Sequence, residues 1–284
     1  MPGPMRPRSA RASGSDLETC SLKPTLCDTE RVSDIWKQAG RRSREFDESA
    51  VAYDTYRPRY PDEIFDDIVE VGALRPGART IEIGAGTGIA TAALVERGLE
   101  VVAIEPSDGM RELAQDKLED RAQFRGGTFE DLSQDESADA IVAFSAWHWV
   151  EPRNGLDLAS AVLAPGGVLA VSWTEVVSWG QGDFEERLAE ITRSPWLKSV
   201  EEIRASVEPI RDDARFEEVA VRCHRFEREL DAETFVGLTR TYPGFHTPKR
   251  DARYRQLIDN EFDGSVKRTE EALLYLFVHV DTTS

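Results

Sequence analysis

The stretch Thr80-Ile81-Glu82-Ile83-Gly84-Ala85-Gly86-Thr87-Gly88 constrains this chain more than any other. An apolar β-type run that breaks on three alternate glycines and resumes as a helix reads as a strand, a tight turn and a helix N-terminus. Glycine there tolerates positive φ and lets the main chain approach a ligand closely. A dinucleotide fingerprint asks for glycine at the sixth position from Gly84, where Ile89 stands. Glu82, near the strand end, would repel a pyrophosphate and suits a cationic amino group. Further on, Glu105 closes the predicted strand Val101–Ile104, where an acid accepts the hydrogens of ribose hydroxyls.

The pattern around this turn extends it into a fold. Strands are predicted at Thr80–Ile83, Val101–Ile104, Ala122–Arg125, Ala140–Phe144 and Val168–Trp173, with helices at Gly88–Arg97, Met110–Leu118 and about Asn154–Leu163. Strands that are nearly all apolar and alternate with helices form a parallel sheet covered on both faces. Two late strands, Phe216–Phe226 and Ala272–Val280, lack a nucleotide-type turn between them. The expected class is therefore α/β, a doubly wound, mostly parallel seven-stranded sheet with an antiparallel edge strand. Residues 1–30, rich in Pro, Ser, Arg and Gly, predict a mobile tail. Residues 31–75 predict an N-terminal helical cap and 76–284 the main domain, with helical lid insertions at about 174–213 and 231–265.

Acidic residues number 53 against 35 Lys and Arg, a formal net charge of -18. Such a surface repels phosphate backbones and anionic lipid, so neither nucleic acid nor membrane is expected as a partner. The three cysteines, Cys20, Cys27 and Cys223, lack the spacing of a zinc site, and with the absence of a signal-like apolar run they point to a reduced, cytoplasmic protein. His148, His224, His246 and His279 are scattered without ligand spacing, so no metal is expected.

Five motifs in order carry a family resemblance: Glu82 to Gly88; Glu105-Pro106-Ser107 with Met110; Gly127-Thr128-Phe129-Glu130-Asp131-Leu132; Ala146-Trp147-His148-Trp149; and Leu163-Ala164-Pro165-Gly166-Gly167. With Tyr53-Asp54-Thr55-Tyr56-Arg57-Pro58-Arg59-Tyr60-Pro61, the chain from about Phe46 resembles the class I S-adenosylmethionine-dependent methyltransferases. It is similar to the small-molecule branch that includes trans-aconitate methyltransferases and enzymes of secondary metabolism. The resemblance implies S-adenosyl-L-methionine as cofactor and O-, N- or C-methylation of a small-molecule acceptor. It implies that Gly84, Gly86 and Gly88 wrap the methionine part, with Glu82 and Ser145 beside it, and that Glu105-Pro106 holds the ribose. Met110 then packs on the adenine or in the core, and Thr128, Phe129 and Glu130 meet the adenine edge. Relatives often carry Asp where Thr128 stands.

Methyl transfer from a sulfonium is an in-line displacement that needs alignment and exclusion of water. At the carboxyl ends of the strands, His148 is the candidate general base, or else a cap on the core. Trp147 is read as packing first and pocket lining second. Tyr53, Tyr56 and Arg57 are candidates to fold over the methionine end or the acceptor, and Arg240 and Tyr242 to touch an anionic acceptor. Two other functions stay open: a nicotinamide-dependent oxidoreductase, disfavoured by Glu82 and Ile89, and a non-catalytic cofactor-binding protein. The oligomeric state is not written in these residues.

Overall fold

The protein was analysed as a computed structural model, which describes residues 49–180, 182–192, 200–242 and 245–280. The predicted tail at 1–30 and residues 31–48 of the predicted cap lie outside these residues. Two helices, α1 (Ala50–Tyr56) and α2 (Asp62–Val71), precede the sheet. Between them Arg57-Pro58-Arg59-Tyr60-Pro61 runs extended, as two prolines require, and Pro61 stands at the N-cap of α2. Tyr60 anchors this connection, its ring 4.9 Å from Phe144 and 6.3 Å from Phe65.

The alternation then proceeds as the sequence pattern requires. It comprises β1 (Arg79–Ile83), α3 (Ile89–Glu96), β2 (Glu100–Glu105), α4 (Asp108–Leu118), β3 (Gln123–Gly126), β4 (Ala138–Phe144), α5 (Pro152–Val162) and β5 (Leu163–Trp179). Helices α6 (Phe184–Thr192) and α7 (Val200–Arg211) follow, then β6 (Phe216–Asp231), α8 (Ala232–Thr239), α9 (Pro248–Glu261) and β7 (Ser265–His279). The seven strands form one sheet in the order β3-β2-β1-β4-β5-β7-β6. Strands β1 to β5 pair in parallel, whereas β7 pairs antiparallel with both β5 and β6. The antiparallel strand expected near the edge thus enters between β5 and β6.

Alternate residues along each strand feed two cores. Ile81, Ile83, Ile141, Leu169 and Phe277 pack on one face under α5 and α7. Val101, Ala103, Val142, Leu274 and Leu276 pack on the other, against Ile64, Phe65 and Ile68 of α2. This is the period-2 pattern of a sheet buried on both sides.

One difference from the sequence reading shapes the site. Strand β5 was expected to end at Trp173 and the closing strands to cover Phe216–Phe226 and Ala272–Val280, but β5 continues to Trp179, β6 to Asp231, and β7 starts at Ser265. The last β4 to β5 pair is Phe144 with Ser172, so β5 beyond that point pairs only with β7. A three-stranded extension therefore stands clear of the parallel sheet. It carries a third core in which Trp179, Leu230 and Val266 meet Phe184, Phe235, Tyr254 and Ile258 of α6, α8 and α9. Polar residues inside these strands, Thr174, Glu175, Arg268 and Glu270, break the apolar runs and hide the extension from pattern reading.

Candidate active site

The site is built on the turn between β1 and α3. Gly84, Gly86 and Gly88 have φ of +65°, +56° and +76°. At Gly84 a Cβ would also come within 2.7 Å of the Ala146 Cβ, so handedness and close packing both demand glycine. Gly86 differs: the nearest atoms to a Cβ there are Met110 Sδ at 3.8 Å and Tyr53 Cε1 at 4.0 Å, so conformation alone selects glycine and the cradle beside it is open.

Glu105, at the end of β2 and 6% exposed, locks this turn. Its Oε2 accepts the Gly86 N–H at 2.7 Å and its Oε1 the Ser107 N–H at 2.9 Å. Pro106 leads into Ser107, whose hydroxyl caps α4 by accepting the Met110 N–H at 3.2 Å. On the far side Asp54 of α1 clamps the cap to the turn. Its Oδ1 accepts the Thr87 hydroxyl at 2.9 Å and the ammonium of Lys117, which also donates to the Thr87 carbonyl at 2.9 Å. Burial pushes the Asp54 carboxyl up, but Lys117 and Thr87 outweigh it and hold it below the usual carboxylate range.

Glu82 is 1% exposed and points into the cavity beside the turn. Burial pushes its carboxyl up to about 8, opposed by the Thr91 hydroxyl donating at 2.6 Å and reinforced by Glu105. At neutral pH it is an uncharged acid. Ser145, which follows β4, holds a left-handed φ of +53° unusual for a residue with a side chain, its N–H donating to the Ser172 carbonyl at 2.7 Å. It lines the same cavity.

The cap and the strand extension close the other side. The Arg57 guanidinium stacks 3.9 Å from the Tyr242 ring centroid and 4.8 Å from that of Tyr53, and donates to the Thr241 carbonyl at 3.1 Å. Tyr53, Arg57 and Tyr242, far apart in sequence, thus meet at the cavity wall with Thr174, Arg268 and Glu270. Burial raises the Tyr242 phenol, yet Arg57 and Arg268 outweigh it and bring the group below its ordinary value.

Several candidates go elsewhere. Tyr56 packs on α8, where a Cβ at Gly237 would meet its ring at 2.4 Å. His148 lies off the cavity wall, and its Nδ1 accepts the Trp173 indole N–H at 3.3 Å. The left-handed turn at Ser145 is followed by a single 3-10 turn that buries Trp147 beside Phe129, 6.3 Å between ring centroids. Trp147 is therefore a core residue, as its first reading had it. Arg240, expected near an acceptor, instead pairs with Asp251 at 3.2 Å, a carboxylate it shares with His246. Thr128 is bound to its own turn: its N–H and hydroxyl donate to Asp131 at 2.8 and 3.1 Å. Glu130 accepts the Glu151 N–H at 3.1 Å and so ties that turn to the start of α5.

Sequence reasoning missed Asp54, Tyr60, Thr174, Arg268 and Glu270. The available signal was the spacing Arg268-x-Glu270-x-Ala272-x-Leu274, a period-2 run whose inward positions turn from charged to apolar.

Comparison with known proteins decides the family. Residues 81–171 match a methyltransferase domain family. The chain is 32% identical over 188 residues to an uncharacterized methyltransferase of Mycobacterium bovis, covering 66% of this chain and 70% of that one. The chain belongs to the class I S-adenosylmethionine-dependent methyltransferases. A demethylmenaquinone methyltransferase of Clavibacter sepedonicus is 36% identical over 148 residues, 49% of this chain and 60% of its own. A solved structure provisionally described as a type II methyltransferase of Anaeromyxobacter dehalogenans has the same fold, with a TM-score of 0.55 at 18% identity over 78% of this chain and 97% of that one. For this methyltransferase the nicotinamide and non-catalytic alternatives are set aside. Among the described residues no helix is long and apolar enough to cross a membrane.

Proposed function

We propose that this methyltransferase moves the methyl group of S-adenosylmethionine to a small-molecule acceptor held between the glycine turn and the β5–β7 extension. The observation that carries the reading is the pairing of two acids about one open turn: Glu105 bound to the Gly86 amide, and buried Glu82 at the cavity beside it. The residues fit the cofactor. Glu105, each of whose oxygens accepts a backbone N–H beside the open turn, is the acid that would meet the ribose hydroxyls. Glu82 is an acid awaiting a cation, which the methionine ammonium supplies. Met110, beside the Gly86 cradle, provides an apolar surface for the adenine, with the Thr128–Glu130 turn at the next strand end. Tyr53 and Arg57 cover the methionine end.

When bound, the cofactor supplies a methyl group activated by its sulfonium. The chain's work is to align the acceptor with that methyl and keep water out. The Arg57 to Tyr242 stack and the Asp54 clamp close the cap over the turn. Tyr242, stacked on Arg57 at the cavity wall, is the group placed to touch the acceptor. No base role is assigned to His148, which lies off the cavity wall.

Calorimetric titration with S-adenosylmethionine and S-adenosylhomocysteine, on wild type and Glu105→Ala, tests this reading. Binding lost in the variant is expected, and a wild type that binds neither compound overturns it.

A further inference from the structure

Resting on that reading, the geometry points to the chemical class of the acceptor: an organic anion, carboxylate or phosphate ester, whose charged group is anchored at the cavity wall by Arg268, with Arg228 behind it adding positive charge. The two arginines stand directly opposite each other on β6 and β7, and Trp179 of β5 is opposite Arg268 on the other side. Like charges opposed across an antiparallel ladder repel and destabilise a sheet unless something between them is negative. Arg268 is 2% exposed and Glu270, paired with it on the same face of β7, is fully buried. The same Glu270 stands 3.7 Å from the Arg228 Nη1. Two guanidiniums thus share one carboxylate, and Arg57 adds a third positive charge at the same cavity.

The hydrogen bonding is equally incomplete. Among the described residues, Nε and Nη1 of Arg268, Nη1 of Arg228 and Nε of Arg57 are buried without a hydrogen-bond partner, as are the Thr174 hydroxyl and Oε2 of Glu270; Nη2 of Arg228 donates to the Tyr56 carbonyl at 3.3 Å. Buried donors on charged groups are costly when unpaired, and a guanidinium presents them in a fork that matches carboxylate or phosphate oxygens. Arg268, Thr174 and Tyr242 line the cavity that reaches the glycine turn. An anion seated there places the rest of an acceptor toward the methyl donor.

The test separates this claim from the cofactor reading. Protein is saturated with S-adenosylhomocysteine and titrated, by calorimetry, with small mono-, di- and tricarboxylic acids, phosphate monoesters, and the amides and neutral esters of the same acids. The titrations are repeated without S-adenosylhomocysteine, so a failure of cofactor binding is read on its own. At least one acid or phosphate ester is expected to bind at least tenfold tighter than its neutral counterpart. Arg228→Gln, at a partly exposed position, is expected to lose that preference while binding S-adenosylhomocysteine as wild type does; Arg268→Lys is the second variant. The claim is overturned if no anion binds, if neutral counterparts bind equally, if Arg228→Gln keeps the preference, or if that variant loses S-adenosylhomocysteine instead, which would make these arginines part of the cofactor site.

Discussion

On the proposed reading Glu82 couples cofactor binding to the loss of a proton, and the size of the effect follows from its raised carboxyl. With its carboxyl pushed up to about 8 by burial, roughly nine-tenths of the molecules hold this proton at pH 7. Pairing with the methionine ammonium requires the carboxylate, so binding near pH 7 should release about 0.9 proton. The carboxylate fraction grows about ninefold between pH 6 and pH 7, and the association constant should grow with it, flattening as pH nears 8. Stability runs the opposite way. A raised carboxyl value means the native state holds more protons than the unfolded chain, so stability falls as pH climbs from the ordinary 4.5 toward about 8, by about 3 kcal/mol at pH 7. Glu82→Gln keeps an acceptor for the Thr91 hydroxyl and removes the titration; it should melt higher than wild type at pH 8 while binding the cofactor more weakly and without proton release. Calorimetry of S-adenosylhomocysteine in two buffers of different ionisation enthalpy, from pH 6 to 7.5, reads both quantities. An affinity flat across that range, with less than about 0.2 proton released, would refute the pairing of Glu82 with an ammonium.

Further outcomes follow from the same geometry. Gly84→Ala should lose the folded turn rather than merely weaken binding, because its Cβ strikes Ala146 at 2.7 Å; a melting curve lowered by several degrees checks this. Asp54→Ala should free α1 from the glycine turn by removing the acceptor of Thr87 and Lys117, seen as faster amide exchange in α1 and about tenfold weaker cofactor binding. Tyr242→Phe, which keeps the ring on Arg57 and removes the hydroxyl at the cavity wall, should raise the KM for the acceptor more than it weakens cofactor binding. His148→Gln should leave cofactor affinity unchanged and turnover within about threefold, since its ring serves Trp173.

The proposed cofactor side was legible because the chemistry of such a turn constrains the backbone. Glycines that need positive φ and an acid at a strand end leave fixed letters at fixed spacing, and Gly84, Gly86 and Glu105 could be named from the sequence. The acceptor side left no such letters. Arg240 was an attractive candidate by position, yet its neighbour in space is Asp251, while Arg228 and Arg268 face each other only because β6 and β7 pair in a particular register. A register between strands some forty residues apart is a tertiary fact, and charged residues inside a strand read locally as its end. Tyr56 and Arg57 show the same limit at closer range: adjacent in sequence, one packs on a helix and the other enters the cavity.

The placement of β7 has a consequence for assembly. Strand β6 is made earlier along the chain but pairs only with β7, which lies between it and β5. Until the final strand arrives, β6 has no neighbour in the sheet, Arg228 has no opposite number, and Arg57 has no Glu270 in its surroundings. The glycine turn can form among local parallel units, whereas the acceptor half waits for contacts between distant parts of the chain. On the proposed reading, the half that selects the acceptor depends on the last strand of the chain to be made, and the half that holds the methyl donor does not.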